Sequence, residues 1–208
     1  MTPESALERG LVELNLDIEP ASRHKLLAYV DLLAKWNRTY NLTAIRDPIK
    51  MVSHHLLDSL SVLRHLPAGR LADIGSGGGL PGVPIAIAEP ERAVVLNEAS
   101  LKKAAFLRQA TIELQLGNAR VHAGRAEDWK PKERFAVVIS RGLSEIATLI
   151  ERCRHLLATD GVLAAMKGQR PSDELAHVPA DMNCGRIVRL HVPFLGAERH
   201  LILCRAAG

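Results

Sequence analysis

The chain has 208 residues, 47% of them hydrophobic, and a net charge of +4 at pH 7. That length suffices for one domain with a good core. Neither a membrane span nor a signal peptide is expected from the sequence. The nine histidines form no metal motif, and the three cysteines, Cys153, Cys184 and Cys204, have no ligand spacing. A cytoplasmic protein with reduced thiols, without metal and away from membranes, is expected. Basic residues fall in small groups such as Arg23/Lys25, Lys102/Lys103 and Arg152/Arg154. These are compatible with nucleic acid, and equally with solvated helix faces.

The first stretch, residues 1–67, reads as a helical extension. Leu26, Leu27, Val30, Leu33 and Ala34 follow one helix face, and Pro48 opens a further helix through His54 and His55 to Leu60. Being adjacent, the two histidines should point to different sides of that helix. Trp36 to Thr43 reads as a polar turn carrying two aromatics. Residues 68–208 follow as an α/β core, with no linker or repeat between, so one compact domain is expected.

Leu71 to Ile74 is a buried strand, and the chain then runs Gly75-Ser76-Gly77-Gly78-Gly79-Leu80-Pro81-Gly82. Glycine allows backbone angles closed to other residues and a close ligand approach, and Pro81 suits a first helical turn. Strand, glycine turn and helix form the cofactor end of a doubly wound sheet. Two cofactors remain in play. Gly77, Gly79 and Gly82 satisfy the dinucleotide spacing of a nicotinamide-dependent oxidoreductase. Against it, a dinucleotide turn should begin directly after the strand, where Leu80 breaks the glycine pattern. Asp73 at the strand end would also repel a pyrophosphate. Gly75, Gly77 and Gly79 instead give GxGxG, and Asp73 suits the cationic methionine end of S-adenosylmethionine.

A second strand, Ala93 to Leu96, precedes Glu98, an acid placed to hydrogen-bond ribose hydroxyls. A helix from Ser100 to Leu116 leads to a short third strand, Arg120 to Ala123, whose exit loop carries Ala126 and Glu127. There a backbone amide and a neighbouring carboxylate can complement an adenine edge. Phe135 to Ser140 is a continuous apolar run, the mark of a central parallel strand, and Arg141 at its end points into the ligand crevice. After a helix from Glu145 to Leu157, a fifth strand, Gly161 to Met166, ends in Lys167. Arg186 to Val192 and Glu198 to Cys204 alternate around Pro193 and Gly196 as a closing antiparallel hairpin. The expected architecture is α/β and Rossmann-like: a doubly wound, mostly parallel sheet, a C-terminal antiparallel hairpin and the N-terminal helical extension.

Seven segments, KWNRTYNLTAIRDP, HHLLDSL, DIGSGGGLPG, FLRQ, VVISRGL, KGQRPSDE and ERHL, stand in this order between Trp36 and Leu203. Together they resemble the bacterial glucose-inhibited division protein B family, also called ribosomal RNA small subunit methyltransferase G. The resemblance implies a class I S-adenosylmethionine-dependent methyltransferase. Such an enzyme moves a methyl group to N7 of a guanine in the 530 loop of 16S ribosomal RNA, within the small ribosomal subunit. Carried over by position, cofactor contacts fall on Gly75, Leu80, Ala126, Glu127 and Arg141. The chain departs from the family pattern in three places. Glu98 replaces the usual aspartate, His54 stands where an arginine is common, and Gly142-Leu143 replaces Ala-Phe. Guanine N7 carries an in-plane lone pair, so no catalytic base is expected, and positioning falls to Arg141. No Asn-Pro-Pro-aromatic signature of amine methylation is present. Lys167, Arg199 and the Trp36–Thr43 segment are the expected RNA contacts, and a monomer is expected. A methyltransferase-like protein that binds RNA without catalysis is the remaining alternative, which the intact glycine turn and Arg141 oppose.

Overall fold

The computed structural model describes residues 1–142 and 144–207. Helix α1, Pro3–Leu14, starts at Thr2, whose side chain and that of Ser5 close a reciprocal cap, with Pro3 in the first turn. Such a box satisfies donors that a helix start leaves free. Helix α2, Pro20–Tyr40, buries Leu26, Tyr29, Val30, Leu33 and Asn37 along one stripe and ends at Asn41 in the left-handed region. The helix therefore runs through Trp36 to Tyr40, which the sequence reading takes as a turn. Trp36 stacks on Tyr40 at 5.1 Å and tilts against Phe106 at 5.6 Å, so its ring serves packing.

Asp47 caps the short α3, Pro48–Met51. The chain then widens into a π-helical turn, Val52–Leu57, before α4, Asp58–Leu60. Gly10 of α1 lies against this segment so closely that a Cβ there would fall 2.2 Å from Leu57.

The core alternates as expected: β1 Leu71–Ile74, α5 Gly82–Ala88, β2 Val94–Glu98, α6 Leu101–Glu113, β3 Ala119–Ala123, β4 Phe135–Arg141, α7 Ile146–Cys153, β5 Leu157–Lys167, the short α8 Ser172–Leu175, then β6 Met182–Leu190 and β7 Arg199–Ala206. The seven strands form one sheet in the order β3-β2-β1-β4-β5-β7-β6. Strands β1 to β5 are parallel, and β7 inserts antiparallel between β5 and β6. The order reverses between β1 and β4, the crevice at which doubly wound sheets bind ligands.

Side chains alternate across the sheet. Val137 and Ile139 join the core shared with α1, α2, α5 and α6, while Val138 joins the core under α7. The N-terminal helices thus cover one sheet face as part of the same apolar core. One expectation fails on this hairpin. The β6–β7 register shifts between Asn183 and Arg186 and brings Cys184 beside Cys204, and the two form a disulfide. Cys153 is free and buried, which pushes its thiol up to about 12. No described helix is long and apolar enough to cross a membrane. No described cluster could hold a metal.

The sheet holds the glycine turn, and α2 backs it. Tyr29, fully buried, donates its hydroxyl hydrogen to the Gly78 carbonyl. A Cβ on Gly78 would also crowd Leu33 of the same helix at 3.2 Å. Tyr29→Phe leaves that carbonyl buried without its partner. The variant should unfold with about 1–2 kcal/mol less stability and bind S-adenosylmethionine more weakly. Denaturant titration and calorimetry read the two effects; unchanged values in both would remove α2 as the support of the turn.

Candidate active site

Two cavities open at the carboxyl edge of the parallel strands. The first, about 320 Å³, is walled by Gly75, Glu98, Lys103, Arg125, Ala126 and Glu127, among others. Glu98 closes it from β2. One carboxylate oxygen accepts from the Gly77 amide and the other from the Ser100 amide, both at 2.8 Å. Asn97 donates to the Gly124 carbonyl at 2.9 Å, which fixes the loop that carries Ala126.

The glycines divide into two jobs. Gly75 and Gly77 hold positive φ, +68° and +58°. A Cβ on Gly77 would meet only the Gly75 carbonyl at 3.8 Å, leaving room for a ligand to approach. Gly79 and Gly82 are packing positions: a Cβ would fall 2.6 Å from Val83 and 2.3 Å from Leu96 respectively. The last two glycines of the dinucleotide spacing therefore face protein. A glycine turn beside two carboxylates and the cations Lys103, Arg125 and Arg152 fits an adenosine whose methionine end carries both a sulfonium and a carboxylate. Gly75, Glu98, Ala126 and Glu127 are the residues that would hold it.

Two other expected cofactor residues, Leu80 and Asp73, sit behind this wall. Leu80 is buried in the core and lines neither cavity. Gly77 shapes the turn. Asp73, fully buried, turns away from the crevice: one carboxylate oxygen accepts from the Gly82 amide at 2.9 Å and the other has no partner. The expected contact with the methionine cation gives way to holding the first turn of α5, because a strand-end side chain pointing under the turn meets that amide first.

The second cavity, about 360 Å³, gathers Arg141, Lys167 and Arg199 with His54, His55 and Asp58. Its frame is Asp58, whose side chain is 2% exposed. One carboxylate oxygen accepts from Arg141 Nη1 at 2.9 Å and the other from Arg199 Nε at 3.1 Å. Arg141 Nη1 also donates to the His54 carbonyl at 3.0 Å. Arg141 therefore belongs to this cavity and not to the one walled by Gly75. Lys167 is tied to Glu174 and to the Ser144 carbonyl, each at 2.7 Å. His54 and His55 line the same cavity, against the expectation that adjacent residues diverge. A π turn has more residues per turn, so successive side chains are separated by a smaller angle. His55 Nε2 lies 2.8 Å from the Thr43 hydroxyl, and burial, with Arg141 nearby, lowers its pKa to about 4. It is neutral at physiological pH. The Gly142-Leu143 departure includes Leu143, which lies outside the described residues.

From sequence, Asp58, His55 and Tyr29 have no expected role in the site. Asp58 did leave a signal: an acid inside the apolar run of HHLLDSL must find cationic partners if it is buried.

Sheet order, glycine turn and cavities are those of the class I S-adenosylmethionine-dependent methyltransferase fold. Solved structures share it. The ribosomal protein L11 methylase from Lactobacillus delbrueckii subsp. bulgaricus aligns over 73% of this chain and 77% of its own, with a TM-score of 0.54 and 16% identity. The glycopeptide N-methyltransferase MtfA aligns over 76% and 98%, with a TM-score of 0.61 and 12% identity. At such identities the likeness is one of fold.

Sequence relatives go further. The profile of the rRNA small subunit methyltransferase G family matches residues 22–202. A protein of that name from Methylobacillus flagellatus is 51% identical over 98% of both chains, and one from Neisseria meningitidis serogroup A is 47% identical over 98% of both. The chain belongs to the rRNA small subunit methyltransferase G family and is an S-adenosylmethionine-dependent methyltransferase. The oxidoreductase alternative falls with this membership.

Asp73 makes the glycine turn sensitive to pH. Burial pushes its carboxyl from 3.8 up to about 6. Between those values the folded protein keeps a proton that the unfolded chain has released. The contribution is therefore present below the unfolded value and is lost as pH rises through the folded one. Asp73→Asn removes this term. The variant's stability relative to wild type should climb by about 3 kcal/mol from acid to neutral pH and then level off, as thermal unfolding across the range would read. A difference independent of pH would mean that Asp73 ionises without penalty.

Proposed function

We propose that this chain transfers the methyl group of S-adenosylmethionine to N7 of a guanine in the 530 loop of 16S ribosomal RNA, in the small ribosomal subunit. The observation that carries the reading is the pairing of two cavities on one sheet edge. One gathers Glu98 and Glu127 beside Gly75, with Lys103, Arg125 and Arg152 in the same wall, and the other gathers Arg141, Lys167 and Arg199 around Asp58. The first, with both signs of charge, suits a cofactor that carries a sulfonium and a carboxylate, and the second suits an electron-rich base on a polyanion. One chain supplies both, so the enzyme acts as a monomer, in the cytoplasm where subunits assemble.

When bound, S-adenosylmethionine supplies a methyl carbon already activated by its sulfonium. What remains for the protein is alignment, which can be worth ~7–11 kcal/mol. Gly75, Glu98, Ala126 and Glu127 hold the cofactor, and Arg141 and Arg199 orient the base from the other side. N7 bears no proton, so no side chain has to remove one. An unpaired loop lowers the cost of exposing the base.

The test is methyl transfer from labelled cofactor to small ribosomal subunits, with the product mapped as N7-methylguanine. Label on another atom or another RNA would overturn the assignment. Single-turnover rates should vary little between about pH 6.5 and 8.5, whereas a general base would impose a tenfold change per unit. Arg141→Lys keeps the charge, but Nη1 alone meets the His54 carbonyl and Asp58, so the change removes the other guanidinium nitrogens that would face the base. Transfer should fall by roughly 2–4 kcal/mol of barrier, about thirty- to a thousand-fold, in a protein that still binds cofactor by calorimetry.

A further inference from the structure

The turn between β6 and β7 holds its aromatic residue outward. Val192 and Leu195 are buried in the main core, 8% and 7% exposed, and anchor the turn on both sides. Phe194 between them is 38% exposed and joins neither core. Its backbone sits at φ +61°, in the left-handed region. A bulky residue there is an outlier, and such strain persists only where the surroundings enforce it. Glycine would fit this backbone better, and nothing in the packing of the core asks for a phenyl ring.

The surroundings are mixed in charge, with a cation on the ring itself. The Arg9 guanidinium lies over the ring, 5.3 Å from its centroid. Arg189 and Glu198 line the hollow around the turn with Phe194 and pair with each other at 3.2 Å, and His191 Nε2 lies 3.6 Å from Glu13. The turn also stands at the edge of the sheet that carries the reaction. Lys167 pairs with His200 in the β5–β7 register, and Arg199, the first residue of β7, lines the cavity built on Asp58. A flat exposed ring under a guanidinium, on the turn that leads into Arg199, fits one kind of partner. Unpaired bases stack on aromatic side chains, and their phosphates favour nearby arginines.

We propose that Phe194 is a stacking platform for an unpaired base of the ribosomal RNA substrate, flanking the base that enters the Asp58 cavity, with Arg9 supporting the ring from behind. This rests on the functional reading above. It assigns to the β6–β7 turn a share of RNA affinity and none of the methyl-transfer chemistry.

The experiment separates the two ideas. Methyl transfer to small subunits is measured for wild type, Phe194→Ala, Phe194→Gly and Phe194→Trp. Binding of an unpaired oligoribonucleotide with the 530-loop sequence, and of its duplex form, is measured beside it. Phe194→Ala should raise KM for subunits and Kd for the unpaired oligonucleotide roughly tenfold or more. kcat, cofactor affinity and duplex binding should stay within twofold. Phe194→Trp should keep both values near wild type. Phe194→Gly should lose RNA affinity without lowering the melting temperature, since it relieves the backbone. A ring kept for folding would do the opposite, lowering the melting temperature and leaving KM alone, and would overturn the proposal. So would an effect on intact subunits with none on naked RNA, which would point to a protein contact. If wild type binds the oligonucleotide in a Phe194-dependent way but methylates no guanine, the platform stands and the functional reading fails.

Discussion

A carboxylate buried among leucines has to be compensated, and Asp58 is compensated twice. Removing one partner of a buried ion pair typically costs about 3–5 kcal/mol, so the Asp58–Arg141–Arg199 arrangement constrains three parts of the chain at once. Asp58 comes from the helical extension, Arg141 from the end of β4 and Arg199 from the start of β7. The extension is therefore part of the site and not an appendage. Its π turn widens where His54 must offer its carbonyl to Arg141 and Asp58 its carboxylate. The same anchor aims two guanidinium groups at the edge of the sheet where the strand order reverses.

The glycine turn is held with similar redundancy, from three directions. Tyr29 donates to it from α2, Glu98 accepts its Gly77 amide from β2, and Asp73 secures the amide at the start of α5. Positive φ at Gly75 and Gly77 makes the turn possible, and these contacts make it rigid. A cradle fixed before the ligand arrives loses less on binding. Asp73 and His55 also respond to acid in opposite senses. Burial raises the one to about 6 and lowers the other to about 4. Asp73 weakens the fold as pH rises through this range, whereas His55 weakens it as pH falls, so the two largely offset one another.

How far the sequence reveals this follows from which forces are local. Leu71 to Gly82 is legible because a short apolar run marks a buried strand and a run of glycines marks a turn that needs backbone angles closed to other residues. The alternation up to Lys167 and the closing hairpin are legible from periodicity. Glu98, Ala126 and Glu127, expected from their place after strand ends, do line one cavity, and Lys167 and Arg199 line another. What is not legible depends on distant partners. Tyr29 looks like any core aromatic until Gly78 lies above it. Asp58 and Arg199 are 141 positions apart. The divergence expected of His54 and His55 assumes an α-helix, and a π turn breaks that assumption. The cysteine pair depends on a register shift in β6, which no spacing rule announces.

On the proposed reading, the division of charge between the two cavities bears on the reaction itself. Transfer moves a positive charge from sulfur to the purine. Arg141, Arg199 and Lys167 favour arrival of a neutral base on an anionic strand, yet unscreened they would oppose the cation that forms. Asp58 and Glu174 moderate this, since each accepts hydrogen bonds from these cations and limits the field they project. What persists is a modest positive excess. It is enough to draw in RNA and small enough to tolerate the developing charge. It also makes the methylated base a poorer occupant than the unmethylated one, so the chemistry itself favours release.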